Sequence, residues 1–155
     1  MDQLTTLTWQ YVAGRVEPAE LPMAAAHLLV AGFDSPALRD LAGRAPNDDT
    51  AEVFREALAE LGKALPDERT ADRCLIHHLA GLLAAGELAP ATVAGEVWFL
   101  AMRGDTEAEE AFIDAIGPEY LMDVRVEGPT EQYRAWMEGV RSAAERLCRT
   151  EAPIR

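Results

Sequence analysis

The chain has 155 residues, of which 49% are hydrophobic, and a formal net charge of −13. This length suits one domain that buries roughly two-thirds of the surface its unfolded chain would expose. The acidic sequence pI, near 4.5, opposes direct binding to nucleic acid and to anionic membranes, because both require a positive protein surface. An acidic excess can simply keep a protein in solution, or it can steer a partner that has a basic face.

The sequence also predicts a cytoplasmic location. No window contains the roughly 18 uninterrupted apolar residues of a membrane span, and Met1 to Leu4 lack the basic and apolar blocks of a signal peptide. Cys74 and Cys148 both fall in predicted helices among apolar neighbours. This placement predicts two buried free thiols rather than a disulfide or a metal pair.

The first part of the chain shows four helical patterns separated by turn residues. Glycine or proline stands near most of the predicted ends, where a left-handed cap or a break in helical hydrogen bonding is expected. Pro22 would remove a hydrogen bond from a helix that began at Pro18, so that first turn can be separate. The predicted helices cover residues 3–13, about 18 or 22 to 31, 36–43, and a stretch around Phe54 that ends at Gly62.

The stretch from Thr70 to Ala85 is apolar on almost every side, so it should form the helix around which the others pack. Gly86 would supply its left-handed cap, Pro90 the first turn of the next helix, and Gly104 the cap of that helix. The residues expected to face inward are Ala71, Cys74, Leu75, His78, Leu79, Leu82 and Leu83.

Two more helices are predicted toward the C-terminus. Thr106 caps the first, whose apolar residues include Phe112 and which stops at Gly117. The second is longer and runs from about Pro129 to Arg149, and residues 150–155 are expected to form a flexible tail. On the first of these two helices, three acidic residues point away from the apolar face: Glu107, Glu110 and Asp114.

Residues 120–127 do not fit the helical pattern. Met122, Val124 and Val126 alternate with charged residues at the two-residue period of a strand. A lone strand cannot satisfy its own backbone hydrogen bonds, so one interpretation is an extended loop packed by its apolar side chains. The other is an edge that pairs with a partner protein or with a second copy of the chain in a homodimer.

An internal repeat is suggested by the segments 14–21 and 86–93. Both contain glycine, an apolar residue, proline, alanine and a second apolar residue in the same order, and Gly32 matches Gly104 at the same offset. This pattern predicts one turn geometry used twice. Independent use of common helix caps would give the same pattern, and neither half has the consensus of a tetratricopeptide or ankyrin repeat.

Cys74, His77 and His78 form the most suggestive cluster for metal binding. Cys74 and His78 stand four residues apart, which places both on one helix face at a spacing that metal sites use. The adjacent histidines point about 100° apart, however, and His27 and Cys148 are distant in sequence. We therefore expect His78 to pack in the core, His77 to be exposed, and no metal or other cofactor to be bound.

Catalytic motifs are scarce in this sequence. Ser35 is placed for helix capping and Ser142 has no histidine near it in sequence, so a serine triad is not expected. Gly-rich phosphate loops, His-Glu-x-x-His and Cys-x-x-Cys are absent. Carboxylates around the predicted helix start at Thr106 could form a paired or metal site, but the helix dipole and solvation explain them more simply. These carboxylates are Asp105, Glu107, Glu109, Glu110 and Asp114.

Trp98 is a candidate anchor for a partner. It is adjacent to Phe99 on a predicted helix, so the two rings cannot share one face. One of them is expected on an outer surface or between the two halves. Because buried tryptophans often dominate binding energies at interfaces, an exposed Trp98 would suit partner binding.

These patterns predict an all-α fold of about eight helices in two similar four-helix halves, residues 1–65 and 66–149. We expect a non-enzymatic protein that binds a protein partner with a basic face, such as an inhibitor or immunity-type protein. The alternative is a small-molecule-binding protein or an enzyme with a pocket between the halves, near His78 and Trp98. The residues expected to bind the protein partner are Glu107, Glu110, Asp114 and Trp98.

Overall fold

Eight α-helices occur in a computed structural model that describes residues 2–46, 48–98, 104–117 and 130–154, apart from the side chain of Trp98. Those ranges contain no strand, so the predicted all-α class is confirmed. A separate 3₁₀ turn at Pro18–Glu20 directly precedes the helix that begins at Leu21. The helices are α1 (Gln3–Val12), α2 (Leu21–Val30), α3 (Pro36–Ala42), α4 (Thr50–Glu60), α5 (Glu68–Ala84), α6 (Pro90–Trp98), α7 (Glu107–Ile116) and α8 (Glu131–Leu147).

Side-chain caps fix where several helices begin. The Ser35 hydroxyl accepts a hydrogen bond from the amide of Leu38 at 3.2 Å, and Pro36 opens α3, as predicted. The same helix end is held by α4, because Glu60 accepts a hydrogen bond from the amide of Ala37 at 2.9 Å. Such bonds satisfy amides that have no partner within their own helix.

The chain divides into two compact units, Met1–Asp72 with Ile154–Arg155, and Arg73–Pro153. The division lies inside α5, whereas the sequence places the boundary between halves near residue 65. The first unit holds α1 to α4 with the start of α5, and the second holds the rest of α5 with α6 to α8. Four helices therefore belong to each unit when α5 is assigned to the second.

In the first unit, α3 packs extensively on both α2 and α4. Phe54 of α4 is fully buried, and the ring of Tyr11 meets it edge-on with centroids 5.2 Å apart. The Thr50 hydroxyl donates a hydrogen bond to the carbonyl of Pro18 at 2.8 Å, which joins the start of α4 to the 3₁₀ turn. The other large buried side chains of this core include Leu4, Leu21, Leu28, Leu38, Leu41 and Leu58.

In the second unit, α7 packs most extensively on α8. The indole N–H of Trp136 donates a hydrogen bond to the carbonyl of Ala115 at 3.0 Å, which fixes α8 against the C-terminal end of α7. Tyr133 stacks on Trp136 with ring centroids 5.6 Å apart. The buried apolar residues of this unit include Leu75, Leu79, Leu83, Val93, Phe112, Ile116, Val140 and Leu147.

Gly14 and Gly86, which the repeat pattern pairs, end their helices in the same way. Both have positive φ, and the amide after each donates to the carbonyl five positions before it at 2.8 Å. Gly32 and Gly62 form the same cap, so this motif is common in the chain and does not by itself indicate duplication. Gly104, the expected match of Gly32, has no positive φ.

The two thiols are both free but differ in exposure. Cys74 is buried, as predicted, whereas Cys148 is exposed. The prediction for Cys148 is wrong because α8 ends at Leu147 and Cys148 takes the cap position that follows. Residues 120–127 lie outside the described part of the chain, so the strand-like pattern of this segment stays a prediction. Phe99 also lies outside the described part. Among the described helices, none combines the length and apolar character needed to cross a membrane.

Candidate functional site

α7 divides its acidic residues between two faces. Glu107, Glu110 and Asp114 are exposed, as their sequence pattern predicts. Their spacing of three and four residues aligns them in one row about 10 Å long, which we call the carboxylate stripe. Glu109 points the other way, because it shares the inner face of the helix with Phe112 and is fully buried.

The carboxylate stripe carries charge of one sign only. No residue in the described ranges forms an ion pair with any of its three members. On α8, by contrast, both signs alternate along the exposed face, and opposite charges at such spacing stabilise a solvated helix. The exposed residues of that face are Arg134, Glu138, Arg141 and Glu145.

Asp114 occupies a position that opposes helix stability. It lies in the last turn of α7, which contains no basic residue, and a negative charge there is disfavoured by the helix dipole. It also stands four residues from Glu110, so two like charges are neighbours on the helix surface. At sites exposed to solvent, each effect typically lowers the stability of the helix by about 0.5 kcal/mol. The dipole, which explains Glu107 in the first turn, therefore does not explain Asp114.

Four groups converge on the buried carboxylate of Glu109. Its Oε2 accepts hydrogen bonds from the amides of Asp105 at 2.7 Å and Thr106 at 3.1 Å. Its Oε1 lies 2.9 Å from Nε2 of His77, and Nε of Arg73 lies 3.1 Å from both oxygens. Nη1 of Arg73 also lies 3.3 Å from Oδ2 of Asp105. We call these five residues the Glu109 cluster.

The environment of Glu109 keeps this carboxylate ionised. Burial acts to raise its pKa, but hydrogen bonds from the Asp105 amide, His77 and Arg73 outweigh burial, and the pKa is lowered from its ordinary value. An ionised carboxylate only accepts hydrogen bonds, so Nε2 of His77 carries the proton in this pair. Both oxygens of Glu109 are fully engaged as acceptors. The cluster is therefore suited to holding structure rather than to accepting a substrate proton.

Gly104 allows the backbone before α7 to approach the helix closely. A Cβ atom at this position would lie 2.6 Å from Cβ of Glu109 and 2.7 Å from the backbone nitrogen of Glu110. Any other residue would therefore push the segment 104–106 away from the helix. The predicted role of Gly104 as a left-handed cap is wrong. A glycine is required at this position by the close approach of the backbone and not by a positive φ.

His77 and His78 occupy the reverse of their predicted places. The side chain of His77 is 12% exposed and hydrogen-bonded within the cluster, while His78 is exposed. The predicted inward stripe included His78. The buried arc of α5 instead extends around the helix through Ile76 and Ala80, both fully buried, and this leaves His78 on the outer side.

The Glu109 cluster is not among the sites predicted from the sequence, although three sequence signals for it exist. Thr106 and Glu109 form a reciprocal capping box, a pattern of hydroxyl and carboxylate three residues apart. Glu109 also precedes Phe112 by three residues, which places it on the apolar face. Arg73 and His77 stand four residues apart and so share one side of α5. Sequence spacing does not show that these two faces meet.

Metal and nucleophile chemistry has little support in the described residues. Among them, no three His, Cys, Asp or Glu side chains are arranged to hold a metal ion. Burial raises the pKa of the Cys74 thiol to about 11, so this group is protonated at neutral pH and is a poor nucleophile. The side chain of Trp98 lies outside the described part of the chain, and its role as an anchor stays a prediction.

A cleft of about 310 Å³ lies in the first unit. Its cationic group, Nζ of Lys63, is 3.1 Å from the Thr5 hydroxyl and 3.5 Å from Oδ2 of Asp2. Ile154, within the predicted tail, is half-buried and lines this cleft. The remaining lining residues are Thr8, Ala64, Pro66, Asp67 and Thr70.

No protein-family model, curated protein or solved structure matches the chain. No relative therefore supplies a ligand, a partner or a reaction for comparison.

Proposed function

We propose that this protein binds a protein partner with a basic face, and that the carboxylate stripe on α7 is the recognition surface. The observation that supports this proposal is the sorting of acidic residues on that helix. Three carboxylates stand exposed and without an ion pair to a described residue, while the fourth is buried and fully hydrogen-bonded. The net charge of −13 has the same sign and would attract a basic partner from a distance.

The position of Asp114 supports recognition over solubility alone. A charge that only keeps a protein in solution can be placed where the helix dipole favours it. Asp114 instead lies in the last turn and beside the like charge of Glu110. Residues that oppose local stability in this way are expected at functional sites.

A binding protein fits the described chemistry better than an enzyme does. The buried Glu109 has no acceptor capacity left for a substrate proton, and the Cys74 thiol is held protonated. An inhibitor or immunity-type protein that covers a basic surface of its target would use the exposed stripe. The alternative of a small-molecule pocket near His78 and Trp98 stays a prediction, because His78 is exposed but the side chain of Trp98 lies outside the described residues.

The proposal can be tested by capture with two variants of equal charge. The stripe variant removes the three carboxylates of the stripe, and the α4 control variant removes three exposed carboxylates from α4 and the residue that precedes it. Each variant loses three negative charges, so any difference between them reports position rather than net charge. The substitutions are Glu107→Gln, Glu110→Gln and Asp114→Asn for the stripe, and Asp49→Asn, Glu52→Gln and Glu56→Gln for α4.

Each protein would be immobilised and exposed to a lysate of its native host, and the bound proteins would be quantified by mass spectrometry. We expect at least one protein with a basic face to be recovered by the wild type and by the α4 control variant but not by the stripe variant. Recovery of the same proteins in the same amounts by all three baits would contradict the proposal.

A further inference from the structure

The Glu109 cluster lies directly behind the carboxylate stripe. Glu109 is in the first turn of α7, between two members of the stripe in sequence, and its side chain points to the opposite side of the helix. The backbone that carries Glu109 therefore also carries Glu107 and Glu110. Any group that fixes Glu109 in place also fixes the backbone from which those two side chains extend.

The start of α7 is fixed through both directions of a capping box. The Thr106 hydroxyl accepts a hydrogen bond from the amide of Glu109 at 3.2 Å. The Glu109 carboxylate accepts in return from the amides of Asp105 and Thr106. The same carboxylate binds Arg73 and His77 on α5. A local helix cap is thus joined to a second helix through one buried charge.

α7 needs such anchoring because it is short. A helix of ten residues is marginal in water by itself, so its order depends on contacts with other elements. Near its C-terminal end, the carbonyl of Ala115 accepts the hydrogen bond from Trp136. At its N-terminal end, the Glu109 cluster supplies the corresponding attachment to α5.

We infer that the Glu109 cluster is a positioning device, which holds the first turn of α7 on α5 and so presents the carboxylate stripe to the partner in one orientation. This inference rests on the proposed function. Glu109 and Arg73 act as positioning residues and need no contact with the partner. A surface that is rigid before binding loses less conformational freedom in the complex, so its affinity is higher.

Amide hydrogen exchange tests the device without any partner. In the wild type, the amides of Asp105 and Thr106 should be protected although both precede the helix, because the buried carboxylate accepts them. Glu109→Gln should accelerate their exchange at least tenfold. The matched control Glu110→Gln changes the same residue type one position away, on the exposed face, and should leave both amides at wild-type rates.

The N-terminus of α8 provides an internal reference for these rates. There the amide of Tyr133 donates to the Thr130 hydroxyl at 3.2 Å, in a cap that the Glu109 cluster does not include. Its exchange should be unchanged in every variant that folds. A second variant, Arg73→Lys, keeps the positive charge but loses the Nε hydrogen bonds, and it gives the answer if Glu109→Gln fails to fold. If the amides of Asp105 and Thr106 exchange at wild-type rates in these variants, the inference is overturned.

Association kinetics then separate positioning from charge. The probe is the protein recovered by the wild type and lost by the stripe variant in the capture experiment. Glu109→Gln and Arg73→Lys should slow its association by a similar factor at every salt concentration, whereas the effect of Glu110→Gln should fade as salt rises. If Glu109→Gln and Arg73→Lys accelerate amide exchange but bind the partner at the wild-type rate, the inference is overturned and the proposed function is not. A stripe variant that associates at the wild-type rate would overturn the proposed function.

Discussion

Glu107, Glu109 and Glu110 are the same residue type within four positions of the chain, and their environments give them different roles. Glu109 is buried and accepts hydrogen bonds from two backbone amides and two side chains of α5. Glu107 and Glu110 are exposed on the opposite side of the helix. A glutamate on the apolar face must be matched by donors or it would destabilise the fold, and Arg73 and His77 provide them.

Gly104 and Gly139 should respond in opposite ways to substitution by alanine. Gly104→Ala should destabilise the protein by about 2 kcal/mol, because the new Cβ would collide with Glu109 and with the backbone of Glu110. Gly139→Ala should stabilise it by about 0.5 to 1 kcal/mol, since this glycine is inside α8 and nothing beyond its own stretch of helix lies within 4 Å of the added Cβ. Urea unfolding of both variants measures the two changes. Equal tolerance at both sites would contradict the close approach at Gly104.

The ionised state of Glu109 predicts how stability depends on pH. Because the pKa of Glu109 is lowered in the folded state, its contribution is present above the ordinary glutamate value of 4.5 and is lost as the pH falls through the lowered pKa. Glu109→Gln should therefore cost about 3 kcal/mol at pH 7 and progressively less in acid.

This comparison requires urea unfolding of wild type and Glu109→Gln at several pH values between neutral and about pH 3, which spans the ordinary carboxylate range. Glu110→Gln is the control, because it removes an exposed carboxylate from the same helix turn. A free-energy difference between wild type and Glu109→Gln that stays constant down to the acid limit would contradict an ionised Glu109.

At the scale of single helices, the local signals in the sequence identify helix ends well. Ser35 with Pro36, Thr106, and Gly86 mark ends where the structure has them, because each cap depends on the few residues around it. The orientation of a helix depends on its neighbours. The prediction that His77 is exposed is therefore wrong, since this residue lies on the side of α5 that faces Glu109, and His78 lies on the outer side.

The local sequence likewise predicts one part of the candidate site and not the other. The exposure of Glu107, Glu110 and Asp114 was predictable, because the period of α7 alone determines which residues lie opposite its apolar face. The Glu109 cluster joins residues that lie 32 and 36 positions apart, and no local pattern states that they meet. The close approach of Gly104 to Glu109 and Glu110 could not be predicted either, because it exists only in the folded chain.

α7 should become more stable when its least favourable charge is removed. Asp114→Asn should raise the unfolding free energy by about 0.5 kcal/mol, because it removes a negative charge from the last turn and from beside Glu110. The same variant should weaken binding to the partner. Thermal unfolding and association measurements on this one variant should therefore change in opposite directions. A stabilised variant with unchanged binding would show that Asp114 serves no recognition.

At the scale of the whole molecule, the net charge and the stripe should act together. The charge of −13 attracts a basic surface over a long range, while the stripe provides the site on α7 at which that surface binds. Such attraction can raise association rates by roughly tenfold or more at low ionic strength. It weakens as salt rises, because the screening length is roughly 8 Å at about 0.15 M salt and roughly 3 Å at 1 M.

Recognition of a basic partner at the carboxylate stripe predicts how the association rate depends on salt. The most direct measurement is the association rate of the captured partner with wild type, stripe variant and α4 control variant from about 0.02 M to about 1 M salt. We expect the stripe variant to associate roughly tenfold more slowly than the other two at low salt and at nearly their rate at high salt. Equal rates for the stripe variant and the wild type at every salt concentration, or an equally slowed α4 control variant, would contradict recognition at the stripe.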